Sequence, residues 1–142
     1  MAKDLATKVV TIMYDNDWFS QWLGIERLTI ETGSCVLKMT IRKEMLNGFG
    51  IAHGGITYSL ADSALAFASN SYGKMAVSVE TSISHTKQLK EGDEITATAQ
   101  EMSLSNKIAV YNVTIKNQNN EVVALFKGTV YRTGKEWFEE GK

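Results

Sequence analysis

Apolar residues along this chain recur first with a helical period, then with a period of two, then helically again, and with a period of two from there on. In 3–14, Leu5, Val9, Val10, Ile12 and Met13 return at roughly helical spacing and predict a short N-terminal helix. Asp15-Asn16-Asp17 offers an N-cap for a short turn carrying Trp18, Phe19 and Trp22, aromatics expected to pack that segment onto a sheet. Alternation then sets in over 25–31 and 34–42, either side of a Thr32-Gly33 hairpin turn, with Cys35, Leu37, Met39 and Ile41 as the inward row. A second helix is predicted over about 55–71, where Ile56, Leu60, Ala64 and Phe67 form one stripe and Ala61, Leu65 and Ala68 widen it. Its small residues would let a sheet approach closely, and Gly73 is placed to stop it in the left-handed conformation. Extended runs follow over 76–87, 94–102, 107–116 and 122–132, with turn-rich links between the later ones. Long strands joined by short loops predict an antiparallel sheet. The sum is an α+β fold: a long central helix wrapped by a curved antiparallel sheet of about five to six strands, plus the N-terminal helix. The tail after Thr133 is charged and expected to fray, although Trp137 and Phe138 could pack back.

Composition narrows the setting. The 142 residues suffice for a single domain over 1–142, which would bury roughly 70% of its unfolded surface. A net charge of −1 with no basic block argues against nucleic acid as a partner. Cys35 stands alone, so it forms no internal disulfide; it reads as a core residue and suits a reducing cytoplasm. Lys3, Asp4 and Lys8 interrupt the first apolar stretch, unlike a signal peptide. The uncharged run 45–61 contains four glycines, whereas a membrane span needs about 20 mainly apolar residues. A soluble, cytoplasmic protein is therefore expected. No cysteine pair, His-x-x-x-His spacing or phosphate-loop glycine pattern suggests a metal or a redox cofactor.

The candidate chemistry lies in Asn47-Gly-Phe-Gly-Ile-Ala-His53-Gly54-Gly55, which opens the second helix. A His-Gly-Gly turn at a helix start presents bare N–H groups at the positive end of the helix dipole, suited to a carbonyl oxygen or a phosphate. A glycine at 54 lets the backbone come close to a substrate. Asp62, on the same helix, could act as general base on water or attack directly. Together the two read as acyl transfer, with the N–H groups stabilising an oxyanion. Eight residues of helix hold Gly54 and Asp62 about 12 Å apart, too far to serve one carbon. Two antiparallel copies of the helix across a two-fold axis would bring Gly54 of one chain near Asp62 of the other. An obligate homodimer with two shared sites is therefore expected, with Gly55, Tyr58, Ser59 and Asp62 on the helical face lining the cleft. His53 can either hold the loop or join the chemistry, Asn47 can tie the loop down, and His85 reads as a structural strand residue.

The segments 45–48, 53–55 and 59–62, with Asn70-Ser71-x-Gly73, 92–100 and Val123-Ala124-Leu125-Phe126-x-Gly128, resemble the hot-dog-fold acyl-CoA thioesterases of the PaaI type over about 14–132. The resemblance implies a catalytic carboxylate at Asp62, a carbonyl-polarising N–H at Gly54, supporting polar roles for Asn47 and His53, and a hydroxyl near the attacking water at Ser78. Coenzyme A would be part of the substrate rather than a cofactor, with Gly55, Tyr58 and Ser78 about the acyl group and Lys87, Lys90 or Lys107 near its phosphates. It further implies an acyl-CoA substrate, phenylacetyl- or hydroxyphenylacetyl-CoA in phenylacetate degradation, and a dimer of dimers. Relatives usually carry a proline before the Gly92-Asp93 turn, where this chain has Leu89-Lys90-Glu91. A hot-dog hydratase or dehydratase and a non-catalytic acyl-CoA binding or sensing protein are the competing readings.

Overall fold

A computed structural model of the chain describes residues 2–139. At its centre lies a 17-residue helix, α3 (Gly54–Asn70), in which eleven side chains are buried. The preceding helices are α1 (Ala2–Asp15) and α2 (Trp18–Leu23). Six strands complete the chain: β1 (Glu26–Glu31), β2 (Ser34–Thr40), β3 (Lys74–His85), β4 (Glu94–Leu104), β5 (Ile108–Lys116) and β6 (Val122–Glu136). They form one antiparallel sheet in the order β1-β2-β4-β5-β6-β3. The strand that follows α3 is thus at an edge, bonded to β6 alone.

The register explains how the sheet accepts the helix. Leu37 pairs with Ala97, which pairs with Ile115, and Tyr111 pairs with Gly128. Large side chains thereby alternate with small ones across the inner face, and α3 fills the space. The helix comes close at Gly128, where a Cβ would stand 2.5 Å from Leu65 Cδ2. Cys35, Leu37, Met39 and Ile41 are buried as the alternation predicts, and Gly33 and Gly73 adopt the positive φ of their turns.

Asn70 closes α3 by bonding in three directions. Its Nδ2 donates to the carbonyls of Ala66 and Ala76, and its Oδ1 accepts from Ala76 N and Trp137 Nε1. Ser71 Oγ accepts from Gly33 N at 2.7 Å, joining the same helix end to the β1–β2 turn.

Two expectations change. The tail does not fray at Thr133: β6 runs on to Glu136, and Trp137 bonds Gly73 O through its backbone and Asn70 through its ring. Residues 140–142 of that tail lie outside the described residues. The α2 aromatics do not pack onto the sheet either. Trp18, Phe19 and Trp22 are 72%, 53% and 46% exposed, while Ser20 and Leu23 make the buried contact. A six-residue helix has one inward side, and here the hydroxyl and the leucine occupy it. Asp17 caps α2, accepting from Ser20 N at 2.9 Å and Ser20 Oγ at 2.6 Å, and Ser20 Oγ meets Ser63 Oγ of α3 at 2.8 Å.

Candidate active site

The loop from Met45 into α3 is tied down before the helix begins. Leu46 bridges Ala52, His53 N donates to Met45 O, and Ala52 N donates to Leu89 O. Inside the loop, Asn47 Oδ1 accepts from Phe49 N at 2.9 Å and from Ile51 N at 3.4 Å. Asn47 therefore shapes the turn with its oxygen, and its Nδ2 has no partner among the described residues.

His53 is the N-cap of α3. Its Nδ1 accepts from Gly55 N at 2.9 Å. That bond requires an unprotonated Nδ1, so in the neutral ring the hydrogen sits on Nε2. It also divides the two N–H groups at the helix start. The Gly55 N–H is taken, whereas the Gly54 N–H, at the first helical position, has no acceptor among the described residues. One bare donor is left at the positive helix end.

That donor end opens into a cavity of about 310 Å³ bounded by Asn47, Gly54, Thr57 and the 85–89 segment. His85 closes over it: a Cβ on Gly54 would lie 3.2 Å from His85 Nε2. A strand pattern gives no sign of this approach, because β3 meets α3 only through the folded sheet. Thr57 and Gln88 also line the cavity and carry no sequence signal. The loop beyond is held by Asp93, whose Oδ2 accepts from Lys90 N and Oδ1 from Gln118 Nε2. Lys87 stands at the cavity rim, paired with Glu121 at 3.2 Å.

Asp62 is elsewhere. It is half-buried two turns along α3, on a separate cavity of about 260 Å³ that also reaches Ala66, Ala76, Val77, Ser78 and Val130. Ser78 thus lines the same cavity as Asp62. Burial holds the Asp62 carboxyl above its ordinary value, and the negative charge of Asp17 adds to the effect. Tyr58 lies on the same side of α3, its hydroxyl 2.5 Å from Thr81 Oγ1 and its ring edge-on to Phe126, which ties it to the sheet. Gly55 is exposed. Lys107 is exposed in the β4–β5 turn, where its carbonyl accepts from Arg132 N, and it lines neither cavity. Within one chain, then, Asn47, His53 and Gly54 are brought together, Asp62 and Ser78 are brought together, and the two groups are not.

Among the described residues no group of three His, Cys, Asp or Glu is placed to hold a metal ion. Among the described residues no helix is long and apolar enough to cross a membrane. Cys35 Sγ donates to Ala64 O, and burial pushes its thiol up to about 12, so it is no nucleophile.

The acyl-coenzyme A thioesterase PaaI of Escherichia coli is 41% identical over 86% of this chain and 87% of its own length. Its structure superposes with a TM-score of 0.93 at 38% identity, covering 96% of this chain and 99% of that one. A mutant of the phenylacetic acid degradation protein PaaI from Thermus thermophilus superposes with a TM-score of 0.80 at 38% identity, over 82% of this chain and all (100%) of that one. The smu.793 protein of Streptococcus mutans, bound to acetyl CoA, gives a TM-score of 0.76 at 29% identity over 79% and 90% of the two chains. With residues 49–124 matching the thioesterase superfamily, a span containing both the donor turn and Asp62, the chain belongs to that superfamily and has its hot-dog fold.

Proposed function

We propose that the protein hydrolyses acyl-CoA thioesters to the free acid and coenzyme A. The observation that carries this reading is the unpartnered Gly54 N–H at the start of α3, left bare because His53 consumes its neighbour. A thioester carbonyl directed at that donor is polarised by the N–H and the helix dipole. Charge building on its oxygen in the tetrahedral intermediate strengthens the same bond. Asn47 Nδ2, free beside it, is suited to add a second donor. Coenzyme A carried by a structural relative supports the substrate class, and the phenylacetic acid degradation named for two relatives supports an arylacetyl group. The lone thiol of Cys35 suits the cytoplasm for such a reaction.

The acid comes from a second copy. Gly54 and Asp62 are about 12 Å apart along α3, and each borders its own cavity. β3 supplies a way to dimerise: its outer edge has no neighbour in the sheet, and Val77 and Val79 on it are 57% and 60% exposed. Such an edge is a template for another strand. Antiparallel pairing of two β3 strands would lay the α3 helices antiparallel and bring each Gly54 to the other protomer's Asp62. The Asp62 carboxylate then takes a proton from water as the water attacks the carbonyl carbon. The intermediate collapses with cleavage of the C–S bond, and the thiolate leaves and is protonated. Direct attack by the carboxylate, giving a mixed anhydride that water opens, uses the same atoms. Ser78, beside Asp62, is suited to hold the water, and pairing of dimers would make a tetramer.

The test is thiol release from phenylacetyl-, benzoyl-, hexanoyl- and palmitoyl-CoA by the wild type and by Asp62→Ala. Release that falls by roughly 10²–10⁴-fold in the variant is expected. No release by folded wild-type protein would leave acyl-CoA binding alone. Sharing of the site has its own test, because two inactive homodimers, Asp62→Asn and Gly54→Pro, each lack a different half. After subunit exchange, half the dimers are mixed and each has one intact site, so about a quarter of wild-type activity should return. Sites contained within single chains would return none.

A further inference from the structure

We propose that Asp17 is a second acidic residue of the active site: a positioning residue locked beside α3 by the Asp17–Ser20–Ser63 hydrogen-bond chain, acting on Asp62 through its charge. This rests on the reading of Asp62 as the catalytic acid. Asp17 can only accept, so Ser20 Oγ donates to its Oδ2 at 2.6 Å, and Ser63 Oγ in turn donates to Ser20 at 2.8 Å. Ser20 is fully buried and Ser63 8% exposed, so the chain runs through the interior. Ser63 follows Asp62 directly. Fixing its side chain therefore fixes the rotation of α3 at the residue that carries the acid.

Helix capping alone does not account for an aspartate here. Serine or asparagine caps equally well, and a negative charge near a half-buried carboxyl opposes its ionisation. The surroundings do not neutralise that charge. The cavity walls facing Asp62 from β3 and β6, including Ala76, Val77, Ser78 and Val130, are uncharged. On α1, Lys8 and Asp15 are exposed. Arg27 lies over the Tyr14 ring at 4.4 Å, and Arg42 is bound to the carbonyls of Trp22 and Leu23. Across the proposed two-fold axis, His53 and His85 of the partner subunit are the titratable groups that would arrive with Gly54, with Lys87 of the partner subunit at the cavity rim. Asp17 is thus the charge within the chain that raises Asp62 above its ordinary value, beyond what burial does. It keeps the acid protonated to a higher pH and makes the carboxylate, once formed, a stronger base.

Asp17→Asn removes the charge and keeps an acceptor for the cap, and Asp17→Ser is the second variant should the first fold poorly. The readouts are the acid limb of kcat/KM against pH and the titration of the Asp62 carboxyl followed by ¹³C NMR, with Asp62→Asn assayed beside them. Both the limb and the titration should move to lower pH by about half a unit, with Tm at neutral pH nearly unchanged. A titration that does not move in a folded variant overturns the proposal. Activity retained by Asp62→Asn would instead overturn the catalytic reading, and the NMR titration would still decide whether Asp17 acts on Asp62.

Discussion

The two ends of the site on α3 are built in opposite ways. At the Gly54 end the proposed donor is a backbone N–H, held by a loop whose bonds are local apart from Ala52 N to Leu89 O, in a cavity open to solvent. At the Asp62 end the proposed group is a side chain in a partly desolvated pocket, where burial and Asp17 bear on its charge. A backbone donor needs only rigidity and a helix dipole, both available at a helix start. A carboxylate that must act as a base near neutral pH needs an altered environment, which only packing supplies.

The same substitution at each end should therefore do different things. Gly128→Ala drives a methyl within 2.5 Å of Leu65 Cδ2, in the core below the acid end. We expect a stability loss of about 1–3 kcal/mol in denaturant unfolding, with kcat/KM of the surviving folded protein little changed. Gly54→Ala meets His85 Nε2 at 3.2 Å on the open side. There the midpoint of unfolding should hardly move, while kcat/KM falls about tenfold or more, since the methyl stands where the carbonyl must approach. Adding His85→Ala should restore part of the rate. Equal stability losses at the two positions would erase the distinction.

The smallest effect concerns Asp62 and stability. Its carboxyl is raised in the folded state, so folded protein keeps the proton to higher pH than unfolded protein does. The stability it contributes is full below the ordinary carboxylate value and is lost as pH rises through the raised one. Asp62→Asn cannot ionise, so its Tm should exceed that of the wild type by about 1–3 °C at pH 7 and by less near pH 3.5. An equal difference at both pH values would mean that Asp62 is not held in a desolvated setting.

Much of this was legible in the chain because it depends on local geometry. The period of the apolar residues marks α3 and the inward rows of the sheet, Gly33 and Gly73 mark turns that need positive φ, and the His53-Gly54-Gly55 turn marks a helix start with donors to spare. The edge position of β3 was not legible, since a strand's neighbours are chosen by the whole sheet. Nor was the division of labour between the Gly54 and Gly55 N–H groups, which depends on one rotamer of His53.

By itself, then, the sequence determined the elements, the layer order of helix against sheet and the spacing of about 12 Å that separates donor from acid, because each follows from periods and bond geometry over a few residues. Only the tertiary structure decided that His85 closes over Gly54, that Asp17 reaches α3 through two serines, and that the tail returns to Asn70. Those contacts join residues 31, 46 and 67 positions apart, counting the serine link as Asp17 to Ser63. No local pattern encodes them, because what brings such residues together is burial of the inner sheet face against α3.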